Sequence, residues 1–282
     1  AKLDKIIDSH ESIPYLTDLD KLTEIRRKIL YRFSPEARAK EWLRNLKTTT
    51  VCLKEEVKTY TILFTDMWDQ FNPEHNMFTL AFSNYMENVN VIGTSDISVK
   101  PDIHIFGPFG SQWKQIKGPK VHYTGENTGP ILDPSVKLNL GYQYSDNPSY
   151  LRLPLWMLSI DWFNCDLTKI QNPLPMPVEA CLTSCYKEER SKFCAFIVSN
   201  PCNEIRNDAF NTLNAYKPVN SAGKLFNNVG PILAAGLGGG GGELKKHEFL
   251  KDYRFCLAYE NQSSDGYTTE KLLHAKAAGC VP

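Results

Sequence analysis

Residues 252–271 constrain the fold more than any other stretch, because they predict a strand, a polar loop and a helix in immediate succession. Phe255–Tyr259 is a short, aromatic-rich apolar run, typical of a covered strand in an α/β sheet. Gln262–Gly266 is rich in turn-forming residues. Thr268 is placed to N-cap a helix that carries Glu270 in its first turn. The predicted inward face of that helix consists of Leu272, Leu273 and Ala277.

The loop after this predicted strand is a candidate binding site. In an open α/β sheet, ligands bind outside the carboxyl ends of the strands, where this loop would lie. It would present carboxylate acceptors, an amide, a phenol and a cation. The side chains expected to project there are Glu260, Asn261, Tyr267, Glu270 and Lys271.

Three segments of this stretch also resemble a known motif. Residues 253–261 read Tyr-x-Phe-x-Leu-x-Tyr-Glu-Asn, residues 266–272 read Gly-Tyr-x-Thr-Glu-Lys-Leu, and residues 275–282 read Ala-x-x-Ala-Gly-x-x-Pro. With this spacing they closely resemble the donor-binding motif of the α1,3/4-fucosyltransferases, glycosyltransferase family 10. The resemblance implies a GT-B fold, in which two Rossmann-like domains face a cleft, and GDP-fucose as the sugar donor.

A second motif lies where the predicted strand Lys120–Thr124 ends. Residues 123–127 read Tyr-Thr-Gly-Glu-Asn, which is similar to the acceptor-side motif of the same fucosyltransferases. A carboxylate on a glycine-hinged loop at a domain edge can act as a general base. The resemblance implies this role for Glu126. The Arg-Leu-Pro-Leu run at residues 152–155 also resembles the family, and Arg152 is expected to be structural.

A third candidate is Arg206, which opens a predicted helix after the strand Phe193–Val198. The family shows Ser-Asn-Pro followed by Arg-x-x-x-Phe at this position, and the resemblance implies that the arginine reaches the nucleotide pyrophosphate. An arginine at a helix start suits phosphate oxygens through both its charge and the helix dipole. The side chains expected to face inward from this helix are Ile205, Phe210 and Leu213.

The length of 282 residues suggests more than one domain. We expect an N-terminal helical region at residues 1–58, a Rossmann-like acceptor domain at 59–177 and a Rossmann-like GDP-fucose (donor) domain at 178–282. The proline-rich stretch Asn172–Pro177 reads as the connection between the two domains. Compared with the family, the donor domain is expected to be incomplete at Pro282.

The charge balance excludes some partner classes. The chain has 32 Lys plus Arg and 32 Asp plus Glu, so no overall field attracts nucleic acid or an anionic membrane, and any phosphate site must be local. No segment has the length of a membrane span, and residues 1–30 show no signal-peptide pattern. Because Golgi members of the family carry an N-terminal anchor, we expect a cytoplasmic or soluble form, or a Golgi membrane protein whose anchor was removed.

No protein-held metal is predicted. Asp18-Leu19-Asp20 is the sole Asp-x-Asp in the sequence and lies in the N-terminal region. The spacing of Cys181, Cys185, Cys194 and Cys202 invites a zinc site, but buried free thiols explain the cysteines better. We therefore expect that no cofactor is required and that a divalent cation such as Mn or Mg is at most stimulatory.

Residues 236–242 offer a rival interpretation. Gly236, Gly238 and Gly241 satisfy G-x-G-x-x-G, and Glu260 follows at a distance suited to a ribose acid, so a nicotinamide-dependent oxidoreductase is one alternative. A run of five glycines satisfies almost any glycine pattern, however, and Pro231 disfavours a central strand before it. A flexible loop preceding a helix at Glu243–Phe249 is the favoured reading.

The sequence thus predicts an inverting α1,3-fucosyltransferase that transfers L-fucose from GDP-β-L-fucose to an N-acetyllactosamine-type glycan. Its predicted catalytic residues are Glu126 and Glu270, and its predicted donor-binding residues are Arg206, Asn261, Tyr267, Glu270 and Lys271. Direct inversion requires one base for the acceptor hydroxyl and stabilisation of the departing diphosphate. A non-catalytic glycan-binding relative is the second alternative.

Overall fold

The computed structural model describes residues 57–164, 166, 169, 175–183, 190–230 and 240–282. The predicted N-terminal helical region therefore lies outside the described residues, except for Val57 and Lys58, and Lys58 begins the first strand. Within the described residues, no helix is both long enough and apolar enough to cross a bilayer.

The larger sheet has six parallel strands in the order β2-β1-β3-β4-β5-β6. The predicted strand Lys120–Thr124 is confirmed as β4. The strand bounds are β1 Lys58–Thr65, β2 Val89–Thr94, β3 Ile103–Phe106, β4 Lys120–Tyr123, β5 Val136–Gly141 and β6 Tyr150–Arg152. Because β1 lies between β2 and β3, the strand order reverses there, and the carboxyl ends of β1 and β3 flank the crevice where such sheets bind ligands.

Helix α1 (Met77–Tyr85) connects β1 to β2. Asn76 caps it, because its side chain accepts hydrogen bonds from the backbone N–H groups of Phe78 and Thr79 while the Thr79 hydroxyl accepts from Asn76 N. The buried core of this part of the molecule consists of Ile62, Phe64, Phe78, Ile105, Tyr123, Leu140 and Leu158. Short 3₁₀ helices at Gln112–Gln115 and Leu155–Ser159 follow β3 and β6.

A two-stranded parallel ladder joins β7 (Ile160–Asp161) to β8 (Met176–Pro177), and helix α2 (Val178–Thr183) follows directly. The end of the predicted proline-rich connection thus pairs as a short strand. Proline is tolerated there because this ladder lies outside the large sheet.

The smaller sheet has three parallel strands in the order β10-β9-β11. The bounds of its elements are β9 Lys192–Phe196, α3 Glu204–Tyr216, β10 Val219–Ser221, α4 Gly240–Leu250, β11 Tyr253–Leu257 and α5 Lys271–Ala277. Arg190 ties β11 to α5, since its guanidinium donates to the carbonyl of Tyr253 at 2.8 Å and to the carbonyl of Ala278. The predicted strands at 193–198 and 255–259 are confirmed, with β11 beginning two residues earlier.

Three details of the predicted elements were wrong. Helix α5 begins at Lys271 with Glu270 at the N-cap, and not after Thr268, because the backbone and side chain of Thr269 both donate to the Glu260 carboxylate. Leu272 is 47% exposed, so it does not belong to the inward face of α5. Phe255, expected in a covered strand, is 38% exposed.

Helix α3 is also rotated relative to the prediction. Ile205 is 70% exposed, whereas Arg206 and Phe210 are buried. These two lie four residues apart and therefore share the inward face of the helix, whereas Ile205, which directly precedes Arg206, lies off that face.

The predicted glycine loop falls only partly within the described residues, which exclude 231–239. Gly240, Gly241 and Gly242 belong to the first turn of α4 and not to a loop, so the helix begins three residues before the predicted start. The cysteines within the described residues are free thiols; Cys181, Cys194, Cys256 and Cys280 are buried, whereas Cys202 is exposed.

Candidate active site

A cavity of about 300 Å³ lies at the carboxyl ends of β1, β3, β4 and β11. One wall comes from segments that follow strands of the six-stranded sheet, and the other comes from the segment that follows β11. The cavity is lined by Trp68, Pro108, Phe109, Tyr123, Gly125, Glu126, Leu155, Ser159, Asn261, Tyr267, Thr269, Glu270 and Lys271. This is the position at which an open α/β sheet binds its ligand.

Asp66 fixes the segments that carry the aromatic part of the wall. It has φ 53°, which turns the chain sharply at the end of β1. Its carboxylate accepts hydrogen bonds from the backbone N–H groups of Gln112 at 2.9 Å and Trp113 at 2.8 Å. Its carbonyl accepts from Phe109 N at 3.0 Å. The segments after β1 and β3 are therefore held together and present Trp68 and Phe109 to the cavity.

Glu126 lies on the loop that follows β4. The Thr124 hydroxyl accepts a hydrogen bond from Glu126 N at 3.1 Å and lies 2.8 Å from the Thr128 hydroxyl, so this turn is internally braced. Burial raises the pKa of the Glu126 carboxyl; Lys271 opposes that increase, whereas Glu270 and Glu260 add to it. A carboxyl with a raised pKa is suited to accept a proton near neutral pH.

Glu260 organises the opposite wall. Its Oε1 accepts from Thr269 N at 2.7 Å, and its Oε2 accepts from the Thr269 hydroxyl at 2.7 Å and from Lys271 Nζ at 3.0 Å. Lys271 Nζ also donates to the Thr269 hydroxyl at 2.7 Å. The ammonium group is therefore held at a fixed position on the cavity wall.

Glu270 lies between two cations. Its Oε1 is 3.7 Å from Lys246 Nζ and 3.9 Å from Lys271 Nζ. Burial disfavours the carboxylate, but Lys271, Lys246 and His274 outweigh it and lower the pKa of Glu270. Burial and nearby Lys246 lower the pKa of His274, so that imidazole is neutral. The Glu270 carboxylate on the cavity wall is thus ionised and lies between the two ammonium groups.

The loop after β11 is docked onto the six-stranded sheet by several contacts. Asn127 Nδ2 donates to Gln262 Oε1 at 2.6 Å, and Asn127 Oδ1 accepts from the Ser264 hydroxyl at 3.0 Å and from the Tyr142 hydroxyl. Arg152 Nη2 donates to the Gly266 carbonyl at 3.1 Å, which agrees with its expected structural role. These contacts join the two segments that form the cavity walls.

The structure brings five of the six predicted site residues together: Glu126, Asn261, Tyr267, Glu270 and Lys271 all line the cavity. Arg206 does not line it. Its side chain is 1% exposed and its guanidinium donates to the Asn200 carbonyl, while its Nε has no hydrogen-bond partner among the described residues. Arg206 therefore supports the segment before α3, and pyrophosphate contact by this residue stays a prediction.

Several residues of the site were not predicted from the sequence. Thr269, Ser159 and Tyr123 line the cavity, and Tyr123 lies inside a motif that was singled out for Glu126 alone. Lys246 comes from α4, a helix without any motif, so no sequence signal pointed to it. Among the described residues, no group of three or more His, Cys, Asp or Glu side chains is arranged to hold a metal ion.

Two family models match the chain. Residues 62–159 match the N-terminal domain of the α-(1,3)-fucosyltransferase FucT, and residues 187–282 match the C-terminal part of glycosyltransferase family 10 (fucosyltransferase). Together the two models cover more than half of the chain. They fall on the six-stranded and three-stranded sheets, respectively.

One similar curated protein is the α-(1,3)-fucosyltransferase FucT of Helicobacter pylori, 28% identical over 203 residues. The match covers 63% of this chain and 40% of the relative, so the chain spans about two fifths of that protein.

Solved structures share the fold. A crystal structure of an α1,3-fucosyltransferase aligns with a TM-score of 0.57 at 23% identity, covering 82% of this chain and 70% of the other. A second, with GDP-fucose, aligns with a TM-score of 0.54 at 21% identity, covering 83% and 70%. The likeness confirms the predicted α/β, GT-B-like architecture. With two family models matched in chain order over the two sheets that form the cavity, the chain belongs to glycosyltransferase family 10, the fucosyltransferases.

Proposed function

We propose that the protein is an inverting fucosyltransferase that moves L-fucose from GDP-β-L-fucose to a hydroxyl of an N-acetylglucosamine-containing glycan, in α1,3 linkage. The observation that supports this most directly is the composition of the cavity. Glu126 lines it from one sheet, and Lys271, which is held by Glu260, lines it from the other. A proton acceptor and a fixed cation at one site are what an inverting transfer from a diphosphate donor requires.

In the proposed reaction, Glu126 takes the proton of the acceptor hydroxyl as that oxygen bonds to the anomeric carbon of fucose. The bond from the anomeric carbon to the phosphate oxygen breaks, and GDP departs with the electron pair. Lys271 balances the charge that develops on the diphosphate. General base catalysis of this kind contributes roughly 10²–10⁴-fold to a rate.

The remaining predicted residues have supporting roles in this proposal. Glu270, kept ionised by Lys246 and Lys271, binds fucose hydroxyls or balances positive charge on the sugar in the transition state. Asn261 and Tyr267 shape the donor side of the cavity. Arg206 contributes positive charge near the diphosphate from within the fold.

We further infer that residues 59–177 form the acceptor domain and residues 178–282 form the donor domain. Family relatives solved with GDP-fucose and with GDP support the nucleotide sugar as donor. We propose an N-acetyllactosamine-type glycan as acceptor. The names of the matched relatives, α1,3-fucosyltransferases, support the α1,3 linkage. No cofactor is required in this proposal, since Lys271 supplies the positive charge, and Mn or Mg would be at most stimulatory.

The proposal is tested by incubating the full-length protein with GDP-fucose and N-acetyllactosamine and measuring product mass. A product carrying one added deoxyhexose supports it, and linkage analysis then tests the α1,3 assignment. Binding of GDP and glycan without product would instead indicate a non-catalytic relative. Protection from thermal unfolding by NAD(H) but not by GDP would overturn the proposal in favour of an oxidoreductase.

A further inference from the structure

Two hydroxyl groups on the cavity wall have no hydrogen-bond partner among the residues that the structure describes. They are Tyr123 Oη and Ser159 Oγ, and both residues are 1% exposed. Buried hydroxyl groups are nearly always paired, because an unpaired one loses its hydrogen bonds to water without replacement. Both residues line the cavity, so a ligand there is the available partner.

The Tyr123 hydroxyl is held in place by its surroundings. Its ring lies edge-on to Phe78 at 5.2 Å and to Trp68 at 6.1 Å, within the buried core. Gly125 passes so close that a Cβ atom added there would lie 3.0 Å from Tyr123 Oη. The phenol therefore has a fixed direction, beside the loop that carries Glu126.

Ser159 reaches the same cavity from another element. It is the last residue of the 3₁₀ helix Leu155–Ser159, whose Leu155 also lines the wall and lies against Gly125. The cavity side of the six-stranded sheet thus carries two fixed, neutral hydroxyl groups, Tyr123 Oη and Ser159 Oγ, that no described residue pairs. The opposite wall adds a third unpaired atom, Asn261 Oδ1.

The electrostatics of the wall favour a neutral ligand oxygen at Tyr123. Burial raises the pKa of Tyr123, and the negative charges of Glu126 and Glu270 raise it further, so the phenol keeps its proton and can donate it. The same two carboxylates repel an anionic oxygen such as a phosphate at that point. A sugar hydroxyl or ring oxygen is neutral and can both accept and donate.

The size of the cavity agrees with this assignment. At about 300 Å³ it lies at the low end of ligand pockets, which range over about 300–1,000 Å³. It therefore suits a single sugar ring better than an entire nucleotide sugar.

We propose that Tyr123 and Ser159 are a pair of hydrogen-bonding groups that select and orient a pyranose ring in this cavity by binding its neutral oxygens. This inference rests on the proposed function for the identity of the ring, which is either the transferred fucose or the acceptor sugar. Neither residue carries the proton transfer, which stays with Glu126. Their contribution is to position the sugar relative to that carboxylate.

The test compares the wild type with Tyr123→Phe and Ser159→Ala, each of which removes one hydroxyl and leaves the packing nearly intact. Since neither hydroxyl has a partner within the described part of the chain, the melting temperature should be unchanged or higher in both variants, and GDP affinity should be unchanged. The kcat/KM for transfer should fall about three- to tenfold per hydroxyl, the range for a neutral hydrogen bond. Tyr253→Phe, which alters a buried tyrosine outside the cavity, should leave kcat/KM unchanged.

Hydrolysis of GDP-fucose in the absence of acceptor shows whether the bound ring is the transferred fucose or the acceptor sugar. If the hydroxyl groups bind fucose, hydrolysis slows in the variants together with transfer; if they bind the acceptor sugar, transfer alone slows. Unchanged kcat/KM in both reactions would overturn the proposal, as would a loss that only parallels a lower melting temperature.

A wild type without transfer activity would instead count against the proposed function, and the hydroxyl pair is then tested by binding alone. Ligand-observed NMR with methyl α-L-fucoside and N-acetyllactosamine would compare the wild type with both variants. Weaker sugar binding by the variants supports the proposal. Equal binding, or no binding to the wild type, overturns it.

Discussion

Asn127 and Gln262 are joined by a hydrogen bond of 2.6 Å although they lie 135 residues apart in the sequence. Asn127 follows Glu126 directly, and Gln262 follows Asn261, so the bond joins the two loops that bring the proposed base and the donor side together. The Asn127 side chain also accepts from Ser264 and Tyr142. These hydrogen bonds therefore fix the distance between the two cavity walls, next to the residues that we propose to act chemically.

Asn127→Ala should lower the free energy of unfolding by about 1–3 kcal/mol, because it leaves the hydroxyl of the buried Tyr142 without its partner. It should also raise KM for GDP-fucose, since the loop after β11 loses its attachment. Urea unfolding and steady-state kinetics measure the two effects. Asn84→Ala, which removes an exposed hydrogen bond within α1, is the control. Equal effects of both substitutions would contradict a special role for Asn127.

Glu126→Gln should reduce transfer by about 10²–10⁴-fold and leave GDP affinity unchanged, since the amide cannot accept the acceptor proton. Isothermal titration with GDP and a transfer assay separate binding from chemistry. The exposed Glu87→Gln serves as the matched control and should change neither. A parallel loss of GDP binding in Glu126→Gln would show that this carboxyl acts on the donor instead.

The same substitution should stabilise the protein at neutral pH. The pKa of Glu126 is raised in the folded state, mainly by burial, so the folded protein binds this proton more tightly than the unfolded chain does. Stability contributed by this group is therefore present at low pH and is lost as the pH rises through the ordinary glutamate range to the raised pKa. Glutamine carries no charge and should not show that loss. Chemical unfolding of both proteins at several pH values measures the difference, and equal pH dependence would contradict it.

Lys246→Met should raise the pKa of Glu270, because it removes one of the cations that lower it. Glu270 has a lowered folded-state pKa, so its stabilising contribution is present above the ordinary glutamate range and is lost as the pH falls through the lowered pKa. Without Lys246 the folded-state pKa lies closer to the ordinary value, so that loss should be smaller and should end at a higher pH. The free energy of unfolding at neutral pH should fall by about 1 kcal/mol, the scale of an ion pair near the surface. The exposed neighbour Lys245→Met is the control in the same unfolding titration. Identical curves for the two variants would exclude the Lys246–Glu270 pair as a source of stability.

Gly266→Ala and Gly118→Ala should differ in their cost although both glycines have positive φ, of 77° and 100°. An added Cβ at Gly266 would lie 2.9 Å from the Tyr142 carbonyl oxygen, whereas one at Gly118 would meet no atom within 4 Å. Gly118→Ala should therefore cost only the left-handed backbone strain of about 1–2 kcal/mol. Gly266→Ala should cost more and also raise KM for the donor, because the loop must move away from Tyr142. Thermal unfolding and steady-state kinetics with GDP-fucose measure the two effects. Equal melting temperatures and equal KM values for the two variants would mean that the loop can move away from Tyr142 without cost.

The sequence predicted the strands that carry the motifs. Of the six predicted site residues, five line the cavity. These predictions depended on short-range patterns, such as the apolar run at β11 and the polar residues that follow it. The start of α5 was wrong because the position of Thr269 is decided by Glu260, nine residues earlier, and not by its own capping preference. Local propensity yields to such tertiary contacts.

Residues whose roles depend on distant partners could not be predicted. Lys246 pairs with Glu270 only because α4 packs beside α5, and Ser159 reaches the cavity only because a 3₁₀ helix ends there. Arg206 shows the converse case. Its position in a motif predicts a side chain that reaches the nucleotide pyrophosphate, and nothing in that motif indicated that the face shared with Phe210 would bury it.

The parallel topology has a consequence for how the site forms in time. The cavity needs Trp68 and Lys271, which lie near opposite ends of the described chain, and parallel pairing across long loops is slow because ordering entropy must be overcome before distant contacts form. During refolding from denaturant, secondary structure should return first, and nucleotide binding should lag behind the far-UV circular dichroism signal. Binding thus reports the completed assembly of both sheets, which local helix or strand content does not.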